Sequence, residues 1–232
     1  NFNFNLNKNN LSAQLELVLH GSTVATNAVL EHKFDGLGLL VTKGFRHMIE
    51  IARQSVPDGY GNSFFWVKPP RLVPLHMVRE VSGRLLYDGS EIEAIDEKQT
   101  VDAVRELVED GARCIAVCLL HSYANAAHEK HIQSIISKNF PEVFVSISSQ
   151  VLPEYREYER AMTTLVDVMV KPYCQTYLKH AADNIARKSK INEHHELNLS
   201  DIKIASNIFQ FVYYVVSTFK KKNTKYYIIT IT

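Results

Sequence analysis

Hydroxyl-bearing residues follow the first predicted strand, at the point where a helix is predicted to begin. The stretch His20–Asn27 reads HGSTVATN, with Ser22 or Thr23 as the candidate helix N-cap. Free backbone N–H groups and the positive end of the helix dipole meet there, and Thr26 lies one turn further on the same side. This arrangement can bind an anion or a polar substrate group. Ordinary helix capping explains the same pattern, and the residues alone leave both interpretations open.

Three histidines lie close together in the stretch HSYANAAHEKH. They are His121, His128 and His131, with Glu129 beside them. His128 and His131 are three apart and can share one face of a helix, and three imidazoles can bind zinc. No HExxH motif is present. Ordinary hydrogen bonding is the alternative, and we predict no metal site.

Two charged stretches are further candidates for a functional role. The sequence EYREYER at residues 154–160 places Glu157 and Arg160 three apart, which favours helical ion pairs on a solvated face. Arg53 and Gln54 follow a predicted helix and can present a guanidinium and an amide to a ligand. The helix dipole equally favours an arginine at that end.

Composition excludes several classes of protein. The chain has 232 residues, of which 46% are hydrophobic and 22% charged, with a net charge of +1. These values favour a globular protein and argue against partnership with nucleic acid or a membrane. No apolar stretch reaches the roughly 20 residues that span a bilayer. Three cysteines are too few for a disulfide framework, so Cys114, Cys118 and Cys174 are predicted to be buried reduced thiols, which suits a cytoplasmic location.

Apolar strands alternate with amphipathic helices along the middle of the chain, which predicts an α/β fold with a mainly parallel sheet. Asp96–Gln99 (DEKQ) has the pattern of a capping box, and Gly111 is predicted to end the helix that follows. Predicted strands are Glu16–Leu19, Leu37–Thr42, Met77–Leu86, Cys114–Leu120 and Val143–Ser148. Predicted helices are Val24–His32, Phe45–Arg53, the helix after Asp96, one marked by Ile132, Ile135 and Ile136, and one from Glu154 to about Arg187 that ends or kinks before Pro172. Gln54 to Leu75 is predicted to be loop.

The two ends of the chain differ in composition from the middle. Every glycine and proline lies between Gly21 and Pro172, while the tail reuses Lys, Asn, Ile, Tyr, Phe and Thr. We therefore predict a foreign or disordered segment at 1–16, a domain fragment at 17–188 and an atypical low-complexity tail at 189–232. A gene model read past its coding boundaries would produce such ends. A lineage-specific polar tail with a short strand at its end is the alternative.

Several spaced motifs occur in a fixed order between residues 17 and 178. They are HGSTVATNAVLE, LLVTKGFRHMIEIARQ, KPPRLVP, CLLHSYANAAHE, SISSQVLPEYREYERAMTTLVD and KPY. In this order they resemble the N-terminal region of hydantoinase/oxoprolinase A-type proteins. The resemblance implies a partial actin-like, ribonuclease-H-like ATPase domain with flanking helices. It also implies ATP and Mg²⁺ as cofactors, phosphorylation of a small cyclic amide and then ring opening, with a B-type subunit or fused half as partner.

The sequence also departs from the family pattern. The Asp-Gly-Gly-Thr phosphate loops of the family are not found, and neither GxxxxGKS nor GxGxxG is present. Ser22 stands in place of the first of the paired threonines, and Ala126 stands where proline is usual. The resemblance implies that Gly21, Ser22, Thr23, Thr26 and Asn27 face a substrate or nucleotide. Arg53 and Gln54 complete the candidate set, and no catalytic residue is assigned.

Four functional hypotheses follow from the sequence. The first is a fragment of an ATP-dependent cyclic-amide hydrolase of the hydantoinase or 5-oxoprolinase type, inactive alone. The second is a non-catalytic remnant or interaction module. A subunit fragment of a related ATP-dependent ketone carboxylase is the third, and a zinc hydrolase built on the three histidines is the fourth.

Overall fold

The computed structural model describes residues 18–21, 24–31, 36–53, 71–189 and 227–230. These residues belong to two compact units, one drawn from Asn1–His32 and Lys171–Thr232 and the other from Lys33–Val170. The predicted foreign segment at 1–16 and most of the predicted tail lie outside the described residues. The predicted domain boundaries therefore stay predictions.

The Lys33–Val170 unit is built on a parallel four-stranded sheet. Strands β2 (Leu37–Thr42), β3 (Val78–Val81), β6 (Cys114–Cys118) and β7 (Phe144–Ile147) lie in the order β3-β2-β6-β7. Every neighbouring pair is parallel. Strands β2 and β6 are buried along their whole length, as expected for short apolar runs with both faces covered. The predicted α/β class and the parallel sheet are confirmed.

Two crossover helices flank this sheet. Helix α3 (Glu97–Glu109) packs against β3, and helix α4 (Ala127–Asn139) packs against β6 and β7. Each helix contributes an apolar stripe at helical spacing, which explains why both were predictable. The fully buried members of these stripes include Val104, Leu107, Ile132 and Ile136.

The predicted capping box forms only in part. The Asp96 side chain caps α3 by accepting a hydrogen bond from the Gln99 backbone N–H at 3.0 Å. The Gln99 side chain does not return to the Asp96 N–H; it accepts a hydrogen bond from the Ser82 N–H, while the Asp96 N–H donates to Ser82 Oγ. Residue Ser82 thus joins the end of β3 to the start of α3, a tertiary contact that the local pattern does not contain.

Two predicted elements differ clearly from the structure. The predicted helix over Phe45–Arg53 forms only at α2 (Met48–Ile51), because Gly44 and Arg46 donate their backbone N–H groups to Glu80 and hold the preceding residues in turns. The predicted strand Met77–Leu86 is divided, since the chain leaves β3 at Ser82 and continues as a hairpin. The hairpin pairs β4 (Arg84–Leu85) with β5 (Glu91–Glu93) in antiparallel fashion.

Near the end of the sheet, a short helix α5 (Ser148–Val151) follows β7 directly. Helix α6 (Glu157–Ser189) begins three residues after the predicted Glu154 and continues through Pro172. An end before Pro172 is therefore wrong, a kink there stays a prediction, and the predicted continuation to about Arg187 agrees with the end of α6 at Ser189. A proline removes a single backbone donor from a helix, and the many remaining bonds of this long helix hold it together.

The other unit contains the first strand and the end of the tail. Strand β1 (Val18–Gly21) pairs in parallel with β8 (Tyr227–Thr230). Helix α1 (Val24–Leu30) follows β1 and ends two residues before the predicted His32. A short strand near the end of the tail belonged to the alternative interpretation of that segment, and residues 227–230 form one. In the described ranges, no helix combines the length and apolar character needed to cross a membrane.

None of the three cysteines forms a disulfide, and two of them are buried as predicted. Cys114 and Cys118 lie in the core on β6, whereas Cys174 on α6 is only half-buried. Burial is the main cause that raises the pKa of the Cys118 thiol to about 12.

We expect Cys118 to resist alkylation in the folded chain, because the thiolate is the reacting species and burial suppresses its formation. Iodoacetamide at pH 8 followed by peptide mass spectrometry should find Cys118 unmodified, and the same treatment in urea should modify it. Modification of Cys118 at the same rate with and without urea would contradict the burial of this thiol.

Candidate functional site

Four of the seven predicted site residues fall within the described residues. Gly21 ends β1, and Thr26 and Asn27 are both exposed on α1. Ser22, Thr23 and Gln54 lie outside the described residues. A ligand-facing role for the His20–Asn27 stretch therefore remains a prediction.

Arg53 lies in the Lys33–Val170 unit and makes an ion pair. Its Nε and Nη2 both contact Glu159 Oε1 on α6. The preceding residue, Ala52, has φ 51° and ψ −139°, a backbone conformation that is strained for any residue with a side chain. The Arg53 guanidinium thus bonds to a carboxylate of the same chain. Its predicted role in contacting a ligand stays a prediction.

The three histidines considered for zinc have different partners. His128 Nε2 lies 2.5 Å from Glu91 Oε2, and His131 Nε2 lies 2.9 Å from Glu97 Oε1. His121 contacts Tyr123 instead, with Nδ1 3.4 Å from the hydroxyl oxygen. Within the described ranges, no three His, Cys, Asp or Glu side chains gather as a metal-binding group.

The carboxyl ends of β2, β6 and β7 lie at one edge of the parallel sheet, where ligands of open α/β sheets usually bind. Polar groups join the segments that leave this edge. Thr42 Oγ1, at the end of β2, accepts a hydrogen bond of 3.1 Å from the Leu120 N–H beyond the end of β6. Leu120 is followed by His121 and Ser122, so the HSYAN motif begins at this edge.

A buried polar cluster lies behind the edge and consists of Ser122, Glu129, Ser148 and Arg160. Glu129 is fully buried on α4, and its Oε1 accepts hydrogen bonds from Leu119 N–H at 2.9 Å and Ser148 Oγ at 2.6 Å. Its Oε2 accepts from the Ser149 N–H at 2.7 Å. Three donors therefore stabilise this carboxylate in the interior.

Arg160 provides the positive charge of the buried polar cluster. Its side chain is 1% exposed, with Nη1 donating to Ser122 Oγ and Nη2 donating to the Leu119 carbonyl oxygen, both at 2.8 Å. The hydroxyls of Ser122 and Ser148 lie 3.0 Å apart and complete the link to Glu129. The two charged residues thus bind the N–H and the C=O of Leu119, which fixes the backbone at the end of β6.

The burial of Arg160 corrects the interpretation of EYREYER as a wholly solvated face. Arg160 contacts Ser122 and Leu119 instead of pairing with Glu157, because its side of α6 faces the sheet. The sequence contains a signal for this orientation. Thr164, Leu165 and Val168 follow Arg160 at helical spacing, and all three are buried.

Three aromatic side chains, which we name the ring face, lie beside the buried polar cluster: His121, Tyr123 and Tyr155. The His121 and Tyr123 ring centroids are 5.9 Å apart, and those of Tyr123 and Tyr155 are 5.7 Å apart, both edge to face. The Arg160 guanidinium carbon lies 5.5 Å from the centre of the Tyr123 ring. Sequence reasoning treated His121 only as a metal candidate and did not single out Tyr123 or Tyr155.

The environment of His121 favours the neutral imidazole. Burial lowers the pKa of His121 below its ordinary value, and the positive charges of Arg84 and Arg160 lower this pKa further. Glu157 acts in the opposite direction but does not outweigh these effects.

We expect the free energy of unfolding to rise with pH as His121 loses its proton. Because the folded-state pKa lies below the unfolded value of about 6.5, the unfolded chain binds more protons between these two pKa values. The contribution of His121 to the free energy of unfolding is therefore complete above about pH 6.5, and it is lost as the pH falls through the folded-state pKa. Urea titrations of the natural chain and His121→Asn across this range measure it. Parallel pH profiles for the two proteins would contradict the lowered pKa.

Two glycines of the Lys33–Val170 unit, Gly36 and Gly44, are engaged by contacts within the chain. A Cβ at Gly36 would lie 2.3 Å from the Gly111 carbonyl oxygen, so this glycine serves close backbone packing. Gly44 has open space around it, but its N–H and that of Arg46 both bind Glu80 Oε1. The Glu80 carboxylate thus occupies the two N–H donors that an anionic ligand would need. Within the part of the chain that the structure describes, these loops do not fit a triphosphate.

Comparison of the sequence with models of known protein families shows to which family the chain is related. The model of the hydantoinase/oxoprolinase N-terminal region matches residues 5–140, more than half of the sequence. The chain belongs to the hydantoinase/oxoprolinase family. The resemblance predicted from the motifs is therefore confirmed.

Two of the relatives are named as enzyme subunits. The chain is 32% identical over 167 residues to caprolactamase subunit alpha of Pseudomonas jessenii, covering 72% of this chain and 24% of the relative. It is 31% identical over 189 residues to acetophenone carboxylase gamma subunit of Aromatoleum aromaticum, covering 77% and 26%. The chain thus spans about a quarter of the length of these curated relatives.

A solved structure supports the same relationship. The crystal structure of ATP-dependent caprolactamase from Pseudomonas jessenii matches 70% of this chain and 24% of its own with a TM-score of 0.64 and 31% sequence identity. The Lys33–Val170 unit, with its parallel sheet and flanking helices, accordingly belongs to a partial actin-like ATPase fold. The predicted fold is confirmed.

Proposed function

We propose that this chain is part of an ATP-dependent hydrolase of cyclic amides. The observation that carries the proposal is the combined sequence and structural similarity to caprolactamase, since caprolactam is itself a cyclic amide. The family name adds hydantoinase and oxoprolinase, whose names likewise refer to cyclic amides. The proposed reaction is phosphorylation of the amide with ATP and Mg²⁺, followed by ring opening in the cytoplasm.

The chain alone is proposed to have negligible activity. Phosphoryl transfer depends mainly on positioning and charge stabilisation of the phosphates, and the loops at Gly36 and Gly44 offer no phosphate cradle. Matched relatives are named as subunits, which supports a multi-subunit enzyme. The proposed partner is a B-type subunit, or the corresponding half of a fused protein.

Flanking genomic sequence and a phosphate-release assay test this function together. We expect reading frames near the gene to encode the Asp-Gly-Gly-Thr loops of the family. The protein expressed with those segments and its B-type partner should release phosphate from ATP in response to caprolactam, hydantoin or 5-oxoproline. The isolated 232-residue chain should release none. ATP hydrolysis by the isolated chain would contradict its proposed inactivity, and flanking sequence without such loops would argue for a non-catalytic remnant.

A ketone carboxylase subunit is the second candidate function. The observation in its favour is the 31% identity to acetophenone carboxylase gamma subunit, close to the identity shared with caprolactamase. The same phosphate-release assay separates the two candidates. Stimulation by acetophenone or acetone only in the presence of bicarbonate would support the carboxylase, whereas stimulation by a cyclic amide without bicarbonate would support the hydrolase.

A further inference from the structure

We propose that the ring face of His121, Tyr123 and Tyr155 binds the oxygen-acceptor end of a small-molecule ligand, and that Arg160 is a positioning residue for this face. The ligand class, an amide carbonyl on a small ring, rests on the proposed function. The location, geometry and hydrogen-bonding chemistry of the ring face support the proposal independently.

Location is the first support. The ring face lies beyond the carboxyl end of β6, on the edge of a parallel sheet where ligands of open α/β folds bind. Tyr155 comes from the segment that precedes α6, so separate parts of the chain converge there. Tyr155 is 72% exposed, which leaves an aromatic surface available to a flat or apolar ligand.

Backbone strain on both sides of the ring face is the second support. His121 has φ 58° and Arg156, next to Tyr155, has φ 84°. Residues with side chains rarely adopt this left-handed conformation, and it persists only where surrounding contacts enforce it. The His121 carbonyl oxygen accepts hydrogen bonds from the N–H groups of Ala124 and Asn125. Strain of this kind concentrates at ligand-binding sites, where it fixes the direction of a functional side chain.

The buried polar cluster supplies contacts that hold the backbone before and after His121. Glu129 binds the Leu119 N–H, while Arg160 binds both the Leu119 carbonyl oxygen and the Ser122 hydroxyl. The residues on either side of His121 are therefore held by buried charges. Arg160 also lies against the Tyr123 ring, so one side chain contacts two parts of the structure that orient the ring face.

Hydrogen-bonding chemistry is the third support. His121 Nδ1 lies 3.4 Å from the Tyr123 hydroxyl oxygen, and in the neutral tautomer that accepts a hydrogen bond there, Nε2–H is presented as a donor. Burial is the main cause that lowers the pKa of His121, and the positive charges of Arg84 and Arg160 lower it further against the opposing charge of Glu157. The two arginines thus contribute a positive potential at this ring. A donor in a positive field favours a carbonyl oxygen or another electron-rich acceptor over a cationic group.

Nuclear magnetic resonance of the full chain with labelled histidine and tyrosine tests the ring face, with ε-caprolactam as the probe. We expect saturable shifts of the His121 and Tyr155 signals. His121→Asn should reduce the affinity at least tenfold, because asparagine keeps the left-handed backbone conformation but lacks the imidazole. Its thermal midpoint should be unchanged or higher, which separates lost binding from unfolding.

The chain offers a matched control in His131, an exposed imidazole on α4 that contacts Glu97. His131→Asn should bind the probe as the natural chain does. Tyr155→Ala, at an exposed position, gives a second variant that should fold and lose affinity. Arg160→Lys keeps the positive charge but cannot reproduce the two hydrogen bonds to Ser122 and Leu119. Binding should therefore weaken while the His121 pKa stays low if Arg160 orients the ring face, whereas a purely structural role would lower only the thermal midpoint.

Several outcomes would overturn the inference. They are absence of saturable shifts up to the solubility limit of caprolactam, equal binding by His121→Asn and the natural chain, or shifts confined to other residues. Failure of the proposed function looks different: caprolactam then binds at the ring face, yet the partnered protein releases no phosphate in response to it. Conversely, full cyclic-amide turnover by a partnered His121→Asn protein would leave the function in place and exclude the ring face.

Discussion

Replacing Arg160 by methionine is expected to lower the free energy of unfolding by about 3–5 kcal/mol, because two buried hydrogen bonds from a charged group, each contributing about 1.5–3 kcal/mol, are lost. Methionine fills much of the same volume but cannot bind the Leu119 carbonyl oxygen or the Ser122 hydroxyl. Glu129 would keep its negative charge in the interior without the balancing guanidinium. Urea denaturation followed by circular dichroism measures the loss.

Two further variants provide a control and a test of the energetic coupling between Arg160 and Glu129. Arg105→Met removes an arginine that is half exposed and pairs with Asp102, so its effect should stay within about 0.5 kcal/mol. The double variant Arg160→Met with Glu129→Met should cost less than the sum of the single variants, because no buried charge is left alone. Additive losses would show that the two residues act separately, and a small effect of Arg160→Met would contradict its burial.

Replacing Gly36 by alanine should also destabilise the fold strongly. Gly36 has φ 69°, and a Cβ there would lie 2.3 Å from the Gly111 carbonyl oxygen, a backbone atom that cannot rotate away. The Gly36 carbonyl oxygen accepts hydrogen bonds from the N–H groups of Arg113 and Cys114, so a shift would disturb the start of the β2–β6 pairing. We expect a loss of about 2–5 kcal/mol, combining the left-handed backbone cost and the overlap.

Gly44 gives the matched control for this substitution. Its φ is 88°, so alanine meets a similar backbone cost, but nothing lies within 4 Å of the added Cβ. Gly44→Ala should therefore lose about 1–2 kcal/mol, from the backbone alone. The difference between the two variants in urea denaturation isolates the overlap with Gly111. Equal losses would mean that the chain relaxes around the new methyl group at Gly36.

Local patterns predicted the elements that depend on short-range chemistry. Strand Leu37–Thr42 was predicted to the residue because a short apolar run between turn signals has few other stable uses. Asp96 and Gly111 likewise marked the limits of α3 correctly, since a side-chain cap and a left-handed glycine act within a few residues. The order of motifs also indicated the family, which the matches to known proteins confirmed.

Two local predictions were wrong because a residue distant in sequence binds the group concerned. Gln99 binds Ser82 instead of completing the capping box, and Glu80 holds the turn that shortens the helix predicted after Gly44. Pro172 lies inside α6 because the remaining contacts of a long helix outweigh one lost donor. The Gln99–Ser82 and Glu80–Gly44 pairs are 17 and 36 residues apart in the sequence, so no local rule could reveal them.

The charged and aromatic residues at the sheet edge show most clearly which features the sequence determines and which depend on the tertiary structure. By itself, the sequence determined that the chain is an α/β member of this family, because periodicity, caps and motif order are local properties. Only the tertiary structure decided that Arg160 is buried, that Glu129 and Arg160 bind the same residue, and that His121, Tyr123 and Tyr155 share one face. Burial and pairing of charges depend on which surfaces meet after the strands and helices pack, and the spacing of residues along the chain does not specify that meeting.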